Sequence, residues 1–443
     1  MVLNSLNGGK SAVGEEFFRI ARQKNIRVYV ETPGYLPNIK IPDTLKSIKL
    51  ERGVVTIKQI KGVDSLAILG IYDHSFIPLK NVPSLIVVAK VAGYDKADYG
   101  LSETEVYPML FKHEQNLLVA TLNLSDYRTS RFGPEKSVKE VWKYIFGWLG
   151  VGKKGELKAW GDDVTPTFQQ HVSLKPQDFR NSVYRGSQWF YNAKLFIHPT
   201  WEDLFKQRTA KNGEHVMFPP VVNSAKMGNG ELGILEGHGS TIYKDGSQPI
   251  RWWLRGDCQA ETAYALSLAS VFLNEKSYKS TSANLLSYLY HKSNLRAGER
   301  NDPKSPSYGL VGWATTDADA YYGDDNARVI LATIGSAVAL NNDEWNKYIV
   351  EAIVGNFRTT GKNGFRRNWF RDYMIQKAGW KALSQRDLIN VHPHYESWLW
   401  ATYLWLYDKT KYEPFLALAK KGISITMEKY PNWKWTNGIQ QER

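Results

Sequence analysis

The chain has 443 residues, 43% of them hydrophobic, with a formal net charge of +13 and a single cysteine, Cys258. That length exceeds one ordinary core and predicts a multidomain protein, while one thiol excludes an internal disulfide and any cysteine-built zinc site. No apolar run reaches the roughly 18 residues that cross a bilayer, and the positive residues are scattered, without a Lys/Arg block, zinc-finger spacing or an aromatic RNA-binding signature, so neither membrane nor nucleic acid is expected as a partner.

The start, MVLNSLNGGKSAVGEEFF, lacks the charged-then-apolar order of a signal peptide. Met1 to Asn4 reads as the end of a strand, Glu15 to Lys24 as a helix and Ile26 to Glu31 as a strand. Ser65 to Tyr72, Ser84 to Val91 and Leu117 to Leu122 follow as apolar strands, and Ser137 to Leu149 is an amphipathic helix. This alternation predicts an α/β domain over residues 1–150 with a largely parallel sheet.

The segment NLLVATLNLSDYRTSRFGP, Asn116 to Pro134, resembles the glutamine-amidotransferase-like domains that accompany some carbohydrate-active enzymes. The resemblance implies a flavodoxin-like α/β fold. Amidotransferase chemistry needs a cysteine nucleophile, and none precedes Cys258, so this domain is expected to be non-catalytic.

From 151 to 180 the pattern loosens into a linker. Helical periodicity then dominates over Asn181–Ile197, Gly256–Leu273, Ser280–Lys292, Asp324–Leu340, Glu344–Phe357, Asn368–Trp380, His394–Tyr407 and Pro414–Lys429. Within Gly228 to Trp252 the KDGSQP turn between alternating runs predicts an inserted β-hairpin.

Three motifs stand at helix starts: RWWLRGDCQAETAYALSLAS, TTDADAYYGDDNARVILA and HPHYESWLWATYLW. With them, residues 181–443 resemble the (α/α)6 toroid superfamily of six-hairpin glycosidases and related polysaccharide lyases. The resemblance implies an all-α toroid with its working face at the helix starts. A complete toroid has about twelve helices; the fewer helical segments here, and a chain that starts inside a fold, predict an incomplete protein. Apolar faces left open would favour a homo-oligomer.

The crowding of Asp317, Asp319, Asp324 and Asp325 around Trp313, Tyr321 and Tyr322 is chemically informative, because neighbouring carboxylates repel and one of them tends to keep its proton. Capping of the helix explains Asp324, with Asp325 in the first turn and Arg328 pairing back, but not Asp317 and Asp319. Asp257 and Glu261 lie one helical turn apart behind Trp253 and Arg255, and Trp253, Arg255 and Glu261 are expected to bind the substrate. For Asp257 a helix cap competes with catalysis, and Glu261 is either buried against a partner or facing a cavity. Cys258 reads as a small residue packed on its helix rather than a nucleophile.

His394, Glu396 and Trp398 form a third cluster, suited to holding sugar hydroxyls and stacking a ring, or to an aromatic core helix; His392 and His394 lack a third metal ligand at useful spacing. Arg366, Arg367 and Arg371 with Trp369 either grip a uronic acid or form a solvated face. Glu236 and His238 could reach over the cavity mouth.

A carbohydrate substrate is therefore expected, with no cofactor and no metal. The leading expectation is a glycoside hydrolase using Asp324 or Asp325 as acid and Asp257 or Glu396 as partner. A uronate lyase using Tyr322, His394 and Arg371, and a non-catalytic saccharide-binding protein, are the alternatives. Location follows from any preceding signal: periplasmic or secreted with one, cytoplasmic without.

Overall fold

The computed structural model describes residues 1–4, 9–71, 74–126, 134–151, 173–209, 217–239 and 247–433. Most of the expected linker, positions 127–133 of the amidotransferase-like segment, Tyr72 at the end of an expected strand, and Lys244 to Gly246 of the KDGSQP turn lie outside them. The chain divides into two compact units, Met1–Val172 with Ser240–Gln248, and Ser173–Gly239 with Pro249–Arg443.

In the first unit a six-stranded sheet runs in the order Val28–Glu31, Leu117–Ala120, Val106–His113, Ile86–Ala89, Arg52–Val55, Ile68–Leu69. Only the first two strands pair in parallel; the other neighbours are antiparallel. The expectation of a largely parallel, flavodoxin-like sheet is thus corrected. Parallel neighbours need a crossover of a dozen or more residues, usually a helix. Here Val106–His113 returns directly into Leu117–Ala120 through a turn at Glu114, whose φ is 52°. Between Val28 and Ala120 the described elements are all strands.

Helices Glu15–Gln23 and Glu135–Trp148 cover the sheet. Phe18 packs with Val28, Val30 and Val119, while Trp142 and Ile145 pack with Tyr29, Leu118 and Ala120. The predicted strand at Ser65 to Tyr72 contracts to Ile68–Leu69.

The second unit is mainly helical. Three helical hairpins occur among the described residues: Gly256–Leu273 with Lys276–Ser287, Gly323–Leu340 with Asn346–Thr359, and Ser397–Thr410 with Glu413–Lys429. The first helices of the three, named below for Asp257, Asp325 and Glu396 at their starts, pack in chain order, the Asp325 helix lying against both others. Helix Pro176–Asn192 packs on the Asp257 helix. The sequence explains the close approach of the first two: small residues line the contact, and a Cβ on Gly335 would stand 2.2 Å from the Tyr264 ring. No ring of six hairpins closes among the described residues.

Two local expectations change. Asn368–Trp380 is not one helix: Trp369–Arg371 is a strand paired antiparallel with Ala320–Tyr322, followed by helix Asp372–Ala378, which stops at Gly379 with φ 70°. The inserted hairpin pairs Gly237–His238 with Ile250–Arg251, and Met217–Phe218 adds a third strand.

Candidate functional site

Backbone contacts bring the first two motifs together. The Gly256 amide donates to Trp313 O at 2.9 Å, and Thr315 N donates to Leu254 O at 2.9 Å, so the loop before the Asp325 helix lies along the residues that start the Asp257 helix. Asn326 clamps that loop: its Oδ1 accepts from Val311 N at 3.0 Å and its Nδ2 donates to Val311 O at 2.9 Å. Gly323 lets the third motif approach, since a Cβ there would stand 3.0 Å from Tyr395 O.

Asp257 and Asp325, 1% and 5% exposed, are brought to one point. Arg255 Nη2 donates to Asp257 Oδ2 at 2.9 Å and to Asp325 Oδ1 at 2.6 Å. Arg328 Nη1 lies 2.9 Å from the same Asp257 oxygen and 3.6 Å from Asp325 Oδ1, while its Nε and Nη2 each hold Glu261 at 2.8 Å. Glu236 takes Arg251 at 3.0 Å and Arg255 at 3.3 Å.

Burial pushes the Asp325 carboxyl well above its usual range, and the negative charge and hydrogen bond of Asp257 add to the push against Arg255. Asp324 is also raised, by burial, although the Asp325 backbone amide and Arg328 oppose this. Its Oδ1 has no hydrogen-bond partner. The centre is therefore built to retain at least one proton where isolated aspartates would have lost it.

Glu396 stands at the start of the third of these helices. It is 1% exposed, and its Oε1 accepts from Arg366 N at 2.9 Å and Asn390 Nδ2 at 3.1 Å. Burial pushes its carboxyl up to about 8. Arg366, itself 1% exposed, has its guanidinium pulled down to about 10 by the same cause. Glu396 is thus held by Arg366 and Asn390, apart from the Arg255 contact that joins Asp257 and Asp325.

Burial and pairing also bear on other expected residues. Trp253 is 1% exposed, with Nε1 donating to Thr316 Oγ1 at 2.5 Å and its ring edge-on to Trp313 at 4.6 Å, so it offers no face to a ligand. Tyr321 is fully buried, its hydroxyl between Asp372 and Arg300. Arg371 is held by Asp317 at 2.6 and 3.0 Å and by Asp319 at 2.9 Å, so its charge is shared between two carboxylates. Cys258 has its thiol pushed well up by burial and by Asp257, the opposite of an activated nucleophile.

Some aromatic side chains do flank the acids. Trp398 is 39% exposed, with Arg328 Cζ 5.7 Å above its ring. Half-buried Tyr322 tilts against Trp313 at 4.9 Å. His394 lies 4.2 Å from Tyr395 between ring centroids, with its Nδ1 unpartnered. Sequence reasoning missed Arg251, although it opens the first motif, and Asn390, which stands just before the third. It named Arg328 only as a partner one turn away. No group of three or more His, Cys, Asp or Glu side chains placed to hold a metal occurs among the described residues.

No family model and no curated protein matches the chain. Among solved structures it is similar to one described as a novel alpha-amylase from Clostridium perfringens, at 15% identity and a TM-score of 0.29, over 44% of this chain and 48% of that one. The chain spans about half the length of that neighbour.

Proposed function

We propose that the chain is a glycoside hydrolase in which Asp325 donates the proton to the leaving oxygen, Asp257 holds that proton in place, and Asp324 is the carboxylate that faces the sugar. The observation that carries this reading is the meeting of Asp257 and Asp325 on Arg255 Nη2, with the Asp325 carboxyl raised well above its usual range. A raised carboxyl beside a second carboxyl held by two arginines is the pairing that supplies acid and base from one residue type.

Two oxygens on a single nitrogen leave no room for the water that an inverting pair holds between carboxyls about 6.5–9.5 Å apart. Asp257 and Asp325 therefore act as one unit, and the second carboxylate is Asp324, whose Oδ1 is unpaired. Exposed Trp398 and half-buried Tyr322 would supply the stacking faces. On this reading the three hairpins are an arc of an (α/α)6 toroid, with the acids at the starts of its inner helices.

The lyase alternative loses its main parts. Arg371 is already neutralised by Asp317 and Asp319, and burial together with Asp325 and Asp317 raises the Tyr322 hydroxyl, away from what a base requires. A second reading is favoured by the full pairing of Asp257 with Arg255 and Arg328: a saccharide-binding protein whose buried ion pairs hold helices together.

Hydrolysis of neutral and acidic oligosaccharides by wild type, Asp324→Asn and Asp325→Asn, read as reducing ends released, separates them. The hydrolase reading expects each variant to lose about 100-fold or more. Unchanged turnover in both variants would refute it, and saturable saccharide binding without turnover in the wild type would select the second reading.

A further inference from the structure

A groove of about 360 Å³ lies on the face of strand Trp369–Arg371 and helix Asp372–Ala378, lined by Arg367, Phe370, Tyr373, Met374, Lys377, Ala378 and Arg386. We propose that it binds an organic acid with a flat apolar body, of about the size of naphthoate. The volume falls within the range of small-molecule sites, roughly 300–1,000 Å³.

The floor follows from the local fold. Phe370 sits between Trp369 and Arg371 on the strand, and Met374 and Ala378 recur at helical spacing behind it, so the three form one apolar strip. Phe370 is 2% exposed and anchors the strip in a small core with Leu310, Ile375 and Leu383. Tyr373, 59% exposed, stands at the edge with its ring available.

The rim carries only positive charge. Arg367, Lys377 and Arg386 are exposed and have no ion-pair partner among the described residues. The acids nearest in sequence are committed elsewhere: Asp387 to Lys362 at 2.9 Å and Asn363 at 2.6 Å, Asp372 to Arg300 at 3.4 Å and to the Tyr321 hydroxyl. Arg386 leans over the Phe370 ring at 5.9 Å, which places its charge directly above the apolar floor. A carboxylate on a flat apolar frame satisfies both features at once, because arginine forks match carboxylates and the frame lies against Met374, Ala378 and the ring of Tyr373.

The same lining argues against sugars and inorganic anions. It offers one hydroxyl, from Tyr373, and no carboxylate or amide side chain, so sugar hydroxyls would find donors there but hardly an acceptor. Inorganic phosphate would gain from the charges but not from the floor.

Isothermal titration of the full chain with 1-naphthoate tests the assignment, with 1-naphthylmethanol, glucuronate and inorganic phosphate as controls. The expected result is saturable one-site binding of naphthoate, at least about tenfold tighter than each control and weakened by added salt. The Arg367→Gln/Arg386→Gln variant, both of whose substitutions are on exposed side chains, should bind naphthoate at least about tenfold more weakly, with its unfolding transition unchanged. Absence of saturable binding, equal affinity for any control, or full affinity in the double variant would overturn the proposal. Because the readout is binding alone, any of these results leaves the assignment of Asp325 untouched.

Discussion

Replacing Glu396 by glutamine removes one buried proton site while keeping the hydrogen bonds that the structure shows. Oε1 of either residue can accept from Arg366 N and Asn390 Nδ2, and the amide fills the same space. Burial raises the Glu396 carboxyl from an ordinary 4.5 to about 8. At about 1.36 kcal/mol per pKa unit, full ionisation in the folded state costs about 5 kcal/mol. Between those two values the native state holds more protons than the unfolded chain, so this group lowers stability as pH rises from about 4.5 to about 8. From pH 5 to pH 7 the loss is about 2–3 kcal/mol. Glutamine carries no such dependence. Urea unfolding followed by far-ultraviolet circular dichroism at pH 5, 6, 7 and 8 should show the stability of Glu396→Gln minus wild type growing by that amount between pH 5 and pH 7. Glu31 and Asp325, also raised by burial, act in the same direction in both proteins and cancel in the difference. A difference that stays constant with pH would refute the reasoning and place an ordinary carboxylate at this position.

Asp257→Asn should move the alkaline limb of the pH–activity profile to lower pH, because it removes the negative charge that helps raise Asp325 and leaves Arg255 and Arg328 to pull it down; an unmoved limb would detach Asp257 from the proton of Asp325. Gly422→Ala should destabilise the helical unit by about 1–3 kcal/mol in urea unfolding. Its Cβ would meet the Trp400 ring at 2.7 Å, and that ring is 4% exposed and fixed by Nε1 donating to Gly364 O at 2.6 Å. Unchanged or increased stability would mean that the ring yields freely.

The helices were legible where the sequence signal is local. Gly256–Leu273 was expected with those bounds, and Asp324–Leu340 within one residue, because each has a polar first turn followed by mainly small and apolar residues and is ended by an asparagine in the left-handed region, Asn274 at φ 59° and Asn341 at φ 49°. Strand pairing is decided by residues far apart, which is why the direction of the first sheet was missed. The same cause hid the strand at Trp369–Arg371, where pairing with Ala320–Tyr322 overrides a helical pattern. In the site, the crowding of acids could be read directly, but their partners could not. Arg328 makes the expected one-turn contact with Asp325 at 3.6 Å, yet its shorter contacts are to Asp257 and Glu261, across to the other helix. Trp253 misled in turn: nothing in the sequence separates this side chain, sealed in the core, from Trp398, which faces solvent.

Asp324 and Asp325 show how one dipeptide divides between two tasks. Neighbours in a helix point about 100° apart, so Asp325 turns to Arg255 and Asp257 while Asp324 lies where Arg328, His394 and Asp257 all influence it. A network selected only to hold helices together would gain by pairing every buried oxygen, since an unmet acceptor costs about 1–3 kcal/mol. Asp257 follows that rule, with Oδ1 accepting from Cys258 N and Oδ2 from Arg255, and Glu261 has both oxygens on Arg328. Asp324 breaks it, leaving Oδ1 without a donor beside a centre rich in guanidinium groups, as Glu236 and Glu396 each leave Oε2. An acceptor kept open at the start of a helix, next to a carboxyl that retains its proton, is more costly than capping requires and is what a site that receives a substrate hydroxyl or water would need.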